Sequence, residues 1–203
     1  SDVCSSDLLV LLDCSFSQPA FQAVLMENEE SVYQMACYLI ELGHKKIGYL
    51  RGNVRTQNFK KRYRGYQRAM LDHDLPIDSS FIMDMPISIN EAYESFASIL
   101  ESQMKLPTAF MADNDMIALG TMQALQEKGV GVPDDISLTG FDDISFSEVI
   151  TPGLTTVRVL KKELGQAAVR RLIDLINEPH QAKSCIQVYN ELIKRGSVAA
   201  PHK

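Results

Sequence analysis

A chain of 203 residues with 45% hydrophobic and 23% charged side chains is globular in composition and long enough for one large domain or two small ones, which excludes collagen-like, disordered and disulfide-scaffold classes. The formal net charge of -6 and a pI near 5.2 exclude the basic footprint with which a nucleic-acid-gripping surface neutralises phosphates. The four cysteines (Cys4, Cys14, Cys37, Cys185) form no C-x-x-C pair and have no histidine at metal-ligand spacing, so reduced thiols are expected, and no run approaches the roughly 18 apolar residues of a membrane span.

Residues 8–12 are a continuous apolar run ending at Asp13, which suits a strand buried on both faces. Residues 1–7 look unlike the strand they lead into and read as extraneous sequence. The spacing of Val32, Met35, Ala36, Leu39 and Ile40 predicts a helix over 28–42, with Ser31 and Gln34 available as a capping box, Asn28 as the competing cap and Gly43 as the stop. Cys37 falls on that helix and reads as a small core residue. The alternation continues with a strand over 46–50, a helix over 59–72, a weak strand over 81–85, a helix over 90–103, a strand over 108–112 and a helix over 116–128. A strand over 136–141, another over 155–159, a helix over 161–177 and a last strand over 186–193 complete the pattern. Strands separated by helices of this length mean βαβ units, a mainly parallel sheet and, through right-handed crossovers, helices on both faces.

In open parallel α/β sheets, ligands bind beyond the carboxyl ends of the strands. Asp13 ends the first predicted strand, Asn114 and Asp115 follow the strand over 108–112, and Asp142 and Asp143 follow the strand over 136–141. The loop 53–58 leads from the strand over 46–50 to Arg62. Carboxylates accept from hydroxyls, a guanidinium donates in a fixed fork and an amide does both, so the set suits a small polar ligand such as a sugar.

Blander roles compete. Asp115 and Asp143 stand where helix N-caps stand, and Asp13 can simply end a strand. Arg62 lies among Lys60, Lys61 and Arg64, a charge run of the kind that covers a solvated helix face. Tyr63, Tyr66 and Met70, at helical spacing, read as core, and His44 after Gly43 reads as a cap or turn. Ser15 and Ser17 lack a base partner, and no G-x-S-x-G, P-loop or G-x-G-x-x-G is present. An enzyme is therefore not expected, nor are catalytic residues, a metal site or a cofactor.

Several segments resemble the LacI/GalR family of transcriptional regulators. Leu42-Gly43-His44-Lys45-Lys46-Ile47-Gly48-Tyr49-Leu50 resembles its "LGHxxIgyl" signature, and Arg62-Tyr63-Arg64-Gly65-Tyr66 its "RxxGY". Leu106-Pro107-Thr108-Ala109-Phe110 running into Asn114-Asp115-Met116-Ile117-Ala118-Leu119-Gly120 is similar to "PTAxxxxND.xAlG". Val132-Pro133-Asp134-Asp135-Ile136-Ser137 through Gly140-Phe141-Asp142-Asp143 is similar to "vPdDiSvvGfDd". Pro152-Gly153-Leu154-Thr155-Thr156-Val157 and the closing Arg195-Gly196-Ser197 match in order and spacing.

The resemblance implies a periplasmic-binding-protein-like α/β fold of parallel sheets flanked by helices, in two subdomains with the effector between them. A partial N-terminal subdomain is expected over 8–25 and 156–180, a complete C-terminal subdomain over 26–154 and 186–197, and the helix-turn-helix DNA-binding domain is expected to be absent from this stretch. The family's effector contacts map onto Asp13, Arg62, Asn114 and Asp142. The implied partners are a small-molecule effector, a sugar or sugar derivative, and a second copy in a homodimer or tetramer. Operator DNA would be reached only through the missing N-terminal domain, and a cytoplasmic location without membrane contact is implied. Some members stack a sugar on an aromatic residue after the strand over 81–85. Here Pro86, Ile87 and Ile89 stand there and the next aromatic is Tyr93, against a stacked pyranose at that place. A transporter's periplasmic sugar-binding protein shares the fold and is the alternative; an upstream signal peptide would mark it.

Overall fold

The predicted alternation of strands and helices forms two α/β units, and each is built around its own parallel sheet. The computed structural model describes residues 8–14, 21–103, 105–178 and 182–202, so the readings of residues 1–7, Ser15 and Ser17 lie outside the described residues. The elements are β1 (Val10–Leu12), β2 (Gln22–Met26), α1 (Glu29–Glu41), β3 (Ile47–Gly52), α2 (Gln57–Asp72), a 3-10 turn (Ser79–Phe81), β4 (Ile82–Met85) and α3 (Ile89–Glu101). They continue with β5 (Ala109–Ala112), α4 (Asp115–Glu127), β6 (Ser137–Thr139), α5 (Phe146–Val149), β7 (Thr156–Arg158), α6 (Lys161–Asn177), β8 (Cys185–Val188) and β9 (Glu191–Ile193).

One unit comprises Ser1–Glu27 and Val159–Asn190. Its parallel sheet runs β1-β2-β8, and α6 packs on it through Leu164 and Leu175. All five residues of β2 are buried, and the buried Gln22 side chain bonds Ser184 N (2.8 Å) and Ala182 O (3.0 Å), which fixes the chain leading into β8. Periodicity alone predicts no strand there, although Ala23-Val24-Leu25-Met26 is an apolar run. It abuts the helix that follows, without the turn residues that punctuate strands elsewhere.

The other unit comprises Asn28–Arg158 and Glu191–Lys203. Its parallel sheet has the order β4-β3-β5-β6. The chain moves outward from β3 to β4 and back across to β5 and β6, so right-handed crossovers place α2 on one face and α3 and α4 on the other. Alternation along the strands supplies both faces. Leu50, Phe110 and Ala112 join Phe96, Ile117 and Leu125 in a buried cluster under α3 and α4, whereas the Tyr49 ring packs edge-on against Tyr63 and tilted against Tyr66 of α2. Both helix pairs meet at a glycine. A Cβ on Gly65 would stand 2.2 Å from the Glu29 carbonyl oxygen, and one on Gly120 would stand 2.3 Å from that of Ile89. Only a residue without a side chain lets these backbones approach, which gives the glycines of "RxxGY" and "ALG" a packing reason.

The strand expected over 186–193 is two strands. Residues Cys185–Val188 pair in parallel with β2, whereas Glu191–Ile193 pair antiparallel with β7 in the other unit. The chain breaks at Tyr189 and Asn190, where the Asn190 side chain donates to the Glu27 carbonyl (2.7 Å). The compact units accordingly divide at Arg158 and Asn190 rather than at 154–156 and 186, because β7 is held to β9. Cys37 is only half-buried, since it rotates off the stripe formed by Val32, Met35, Ala36 and Leu39. Ser31 lies inside α1 and forms no capping box; Asn28 occupies the cap position with its side chain turned to Arg62.

Candidate functional site

In the larger unit the carboxyl ends of β3 and β5 adjoin at the point where the strand order reverses, the place where open α/β sheets bind ligands. Arg62 stands there, one turn and a half into α2. It is not the solvated member of a charge run: it is 3% exposed, whereas Lys60 and Arg64 are exposed. Its guanidinium lies over the Phe141 ring, 3.6 Å from the centroid. Nε donates to Asn28 Oδ1 at 2.8 Å, Nη1 donates to the Asp113 main-chain carbonyl, and Nη2 faces Asp142 Oδ1 at 3.4 Å. An arginine held on three sides points its fork in one direction without choosing among rotamers.

Asp142 follows β6, with its side chain one-third exposed at 32%. Its backbone has φ 111°, a region that side-chain-bearing residues rarely enter, and its amide is fixed to Val157 O at 2.9 Å. Such strain costs on the order of 1–3 kcal/mol and concentrates at binding sites. Asp143, also at positive φ, is instead a structural residue that pairs with Arg158 (2.6 Å) and Arg195 (2.7 Å). Burial pushes its carboxyl up, but the two arginines outweigh that and hold it below the usual carboxylate range.

The helix-cap role that the sequence suggested for Asp115 falls to its neighbour. Asn114, not Asp115, caps α4, with Oδ1 accepting from Ile117 N at 2.9 Å. Asp115 is fully buried and accepts from Ile144 N (2.9 Å), Ser147 Oγ (2.7 Å) and Thr156 Oγ1. It ties together the start of α4, the loop before α5, α5 itself and β7. Asp13 belongs to the smaller unit, at the end of β1, half-buried with φ 54° and its amide on Val24 O (2.8 Å). Arg62 and Asp142 therefore meet, Asn114 lies in the same unit as a cap, and Asp13 lies in the other.

Sequence reasoning passed over Asp113, the first polar residue after the apolar β5, in favour of its two neighbours. It is 1% exposed; its carboxylate accepts from Tyr49 Oη (2.6 Å) and Gly52 N (2.7 Å), and so it fastens the end of β3 to the end of β5. Burial pushes its carboxyl up to about 6 despite these hydrogen bonds and the Arg62 charge. The native carboxyl thus keeps a proton that an unfolded one gives up at its ordinary 3.8. Its contribution is fully present below about pH 4 and is lost as pH rises through about 6. Urea denaturation of the wild type and of Asp113→Asn at pH 4.5 and pH 7 should show the wild type losing about 2 kcal/mol more than the variant across that interval. Contributions from Asp115 and the buried His44 cancel in the comparison, and equal slopes would contradict it. His44 itself is a clasp, with ring nitrogens 2.9 Å from Thr108 Oγ1 and from Ala199 O.

Among the described residues no helix is long and apolar enough to cross a membrane. A family profile described as a periplasmic binding protein-like domain matches residues 36–198. The chain is 36% identical over 190 residues to a protein named HTH-type transcriptional repressor PurR from Pasteurella multocida (strain Pm70), covering 94% of this chain and 57% of that protein. It is 40% identical over 161 residues to the protein of the same name from Histophilus somni (strain 129Pt), 79% of this chain and 48% of the relative. The chain thus spans about half the length of the curated relatives it matches. A solved structure of a LacI family transcriptional regulator from Enterococcus faecium with bound ribose has a TM-score of 0.84 at 29% identity, covering 94% of this chain and 70% of that one.

Proposed function

The chain belongs to the periplasmic binding protein-like family, in the form carried by LacI/GalR-type regulators, and from that premise we propose that it is the effector-sensing part of a bacterial transcriptional repressor. The effector is a small polar molecule of the sugar class. Arg62 and Asp142 are its principal contacts in the larger unit, with Asn114 as a further one. The observation that carries this reading is the oriented, buried Arg62 guanidinium facing a carboxylate on strained backbone at the switch point of the sheet. A neighbouring fold that holds ribose supports the ligand class.

The site binds its ligand and breaks no bond in it. Effector affinity is coupled to operator affinity, and a tenfold change in the second needs only about 1.4 kcal/mol of coupling. The working protein is a cytoplasmic homodimer whose DNA contacts come from a helix-turn-helix segment of the kind named in its relatives.

Thermal melting in ribose and in a panel of other pentoses and hexoses tests the site. At least one sugar should raise the melting temperature of the wild type in a saturable way and leave Asp142→Asn unmoved. A sugar that stabilises both proteins equally would remove Asp142 from the site.

A further inference from the structure

Asp142 and Asp143 are consecutive side-chain-bearing residues at positive φ, 111° and 46°. Such residues persist only where their surroundings over-determine the backbone. The main chain here runs beside β7, with Gly140 N on Thr155 O at 3.0 Å and Asp142 N on Val157 O at 2.9 Å. These bonds fix the turn as far as Asp142, and Asp143 is held by its side chain. Its carboxylate reaches two cations on different segments. Oδ2 meets Arg158 Nε of β7 at 2.6 Å, and Oδ1 meets Arg195 Nη1, after β9, at 2.7 Å. The Asp143 side chain is 7% exposed, so water competes little for these pairs. Each arginine is fixed in turn. Arg195 Nη1 donates to Leu154 O and its amide to Thr155 Oγ1, both at 2.9 Å, and Arg158 Nη1 stands 4.0 Å from Glu191.

We propose that Asp143 is a positioning residue of the effector site: clamped between Arg158 and Arg195, it holds the strained turn that aims Asp142 at the Arg62 guanidinium. The inference rests on the reading of Asp142 as an effector contact. Asp142 Oδ1 and Arg62 Nη2 are 3.4 Å apart, long for a hydrogen bond, so little drift of the turn separates them. Backbone φ sets the direction in which Cβ leaves the chain, and a turn relaxed to negative φ carries the Asp142 carboxylate away from Arg62. Two charge-assisted pairs on Asp143 oppose that relaxation, because they are short and strong and anchor on separate segments. Asp143 acts through Asp142 and needs no contact with the ligand itself.

Amide hydrogen exchange followed by NMR in the ligand-free protein tests the clamp. Asp143→Asn keeps the side-chain shape and removes the charge. Exchange at the Asp142 amide should quicken by about tenfold or more, while the Asp113 amide, bonded to Leu50 O at 2.9 Å in the neighbouring strands, should keep its rate. Arg158→Gln, at a half-exposed position that folding tolerates, should do the same. Arg158→Lys restores a cation and should return the Asp142 amide close to its wild-type rate. In calorimetric titration with ribose, Asp143→Asn should bind about tenfold more weakly than the wild type. An Asp142 amide that exchanges at the wild-type rate in both Asp143→Asn and Arg158→Gln, or that quickens only in step with Asp113, would overturn the positioning role. Ribose affinity undiminished in Asp143→Asn would overturn it as well. A wild type that binds no ribose, with Asp142 exchange still governed by Asp143, would sustain the clamp and count against the sugar reading alone.

Discussion

Asp115→Ala should lower the unfolding free energy by about 3 kcal/mol, the largest stability loss expected from any single carboxylate of this chain. The carboxylate is fully buried and is the acceptor for three donors on separate segments, Ile144 N, Ser147 Oγ and Thr156 Oγ1. Truncation leaves a main-chain N–H without its acceptor, at about 1–3 kcal/mol, and loosens two hydroxyls that hold α5 and β7. Part of the loss is offset because burial pushes the native carboxyl up to about 6, so ionised Asp115 carries its own desolvation cost. For a chain of this size the change should appear as a fall of about 6–12 °C in melting temperature, measured calorimetrically. Asp115→Asn keeps one acceptor and should lose less. A melting temperature unchanged in the alanine variant would show that the three donors find other partners.

Arg62→Lys should abolish effector-induced stabilisation although it keeps the charge, with affinity falling by about 100-fold or more, equivalent to about 2.7 kcal/mol. A lysine ammonium cannot reach Asn28 Oδ1, the Asp113 carbonyl and Asp142 with one planar fork, nor lie flat on Phe141. The unliganded protein should also melt lower, because buried acceptors lose their donor. Near-ultraviolet circular dichroism of the Tyr49, Tyr63 and Tyr66 cluster checks that the fold survives. Retention of the full effector response by the lysine variant would reduce Arg62 to a structural residue.

The βαβ rhythm was legible because helical stripes and short apolar runs report period and burial directly, and the helix over 161–177 has the same bounds as α6. What a single sequence could not show was which sheet a strand joins. Residues 186–193 read as one run, yet hydrogen bonding commits Val188 to β2 and Leu192 to β7. The candidate site was legible by position, since polar residues after strands mark the binding edge, but the role of each residue was not. Asn114 and Asp115 are adjacent and chemically similar, and only the direction of the chain entering α4 decides that the first caps the helix and the second turns inward. Arg62 could not be told from Lys61 or Arg64 by charge. Its burial follows from the helix face shared with Tyr66 and Ala69. Asp113 escaped notice because a buried carboxylate has no sequence period; its partners, Tyr49 and Gly52, lie 64 and 61 residues away.

A structure of the protein bound to the sugar that most raises its melting temperature tests the effector site most directly. Ligand oxygens should lie within about 3.2 Å of the Arg62 guanidinium and of the Asp142 carboxylate. A ligand seated with no polar contact to either side chain would contradict the assignment.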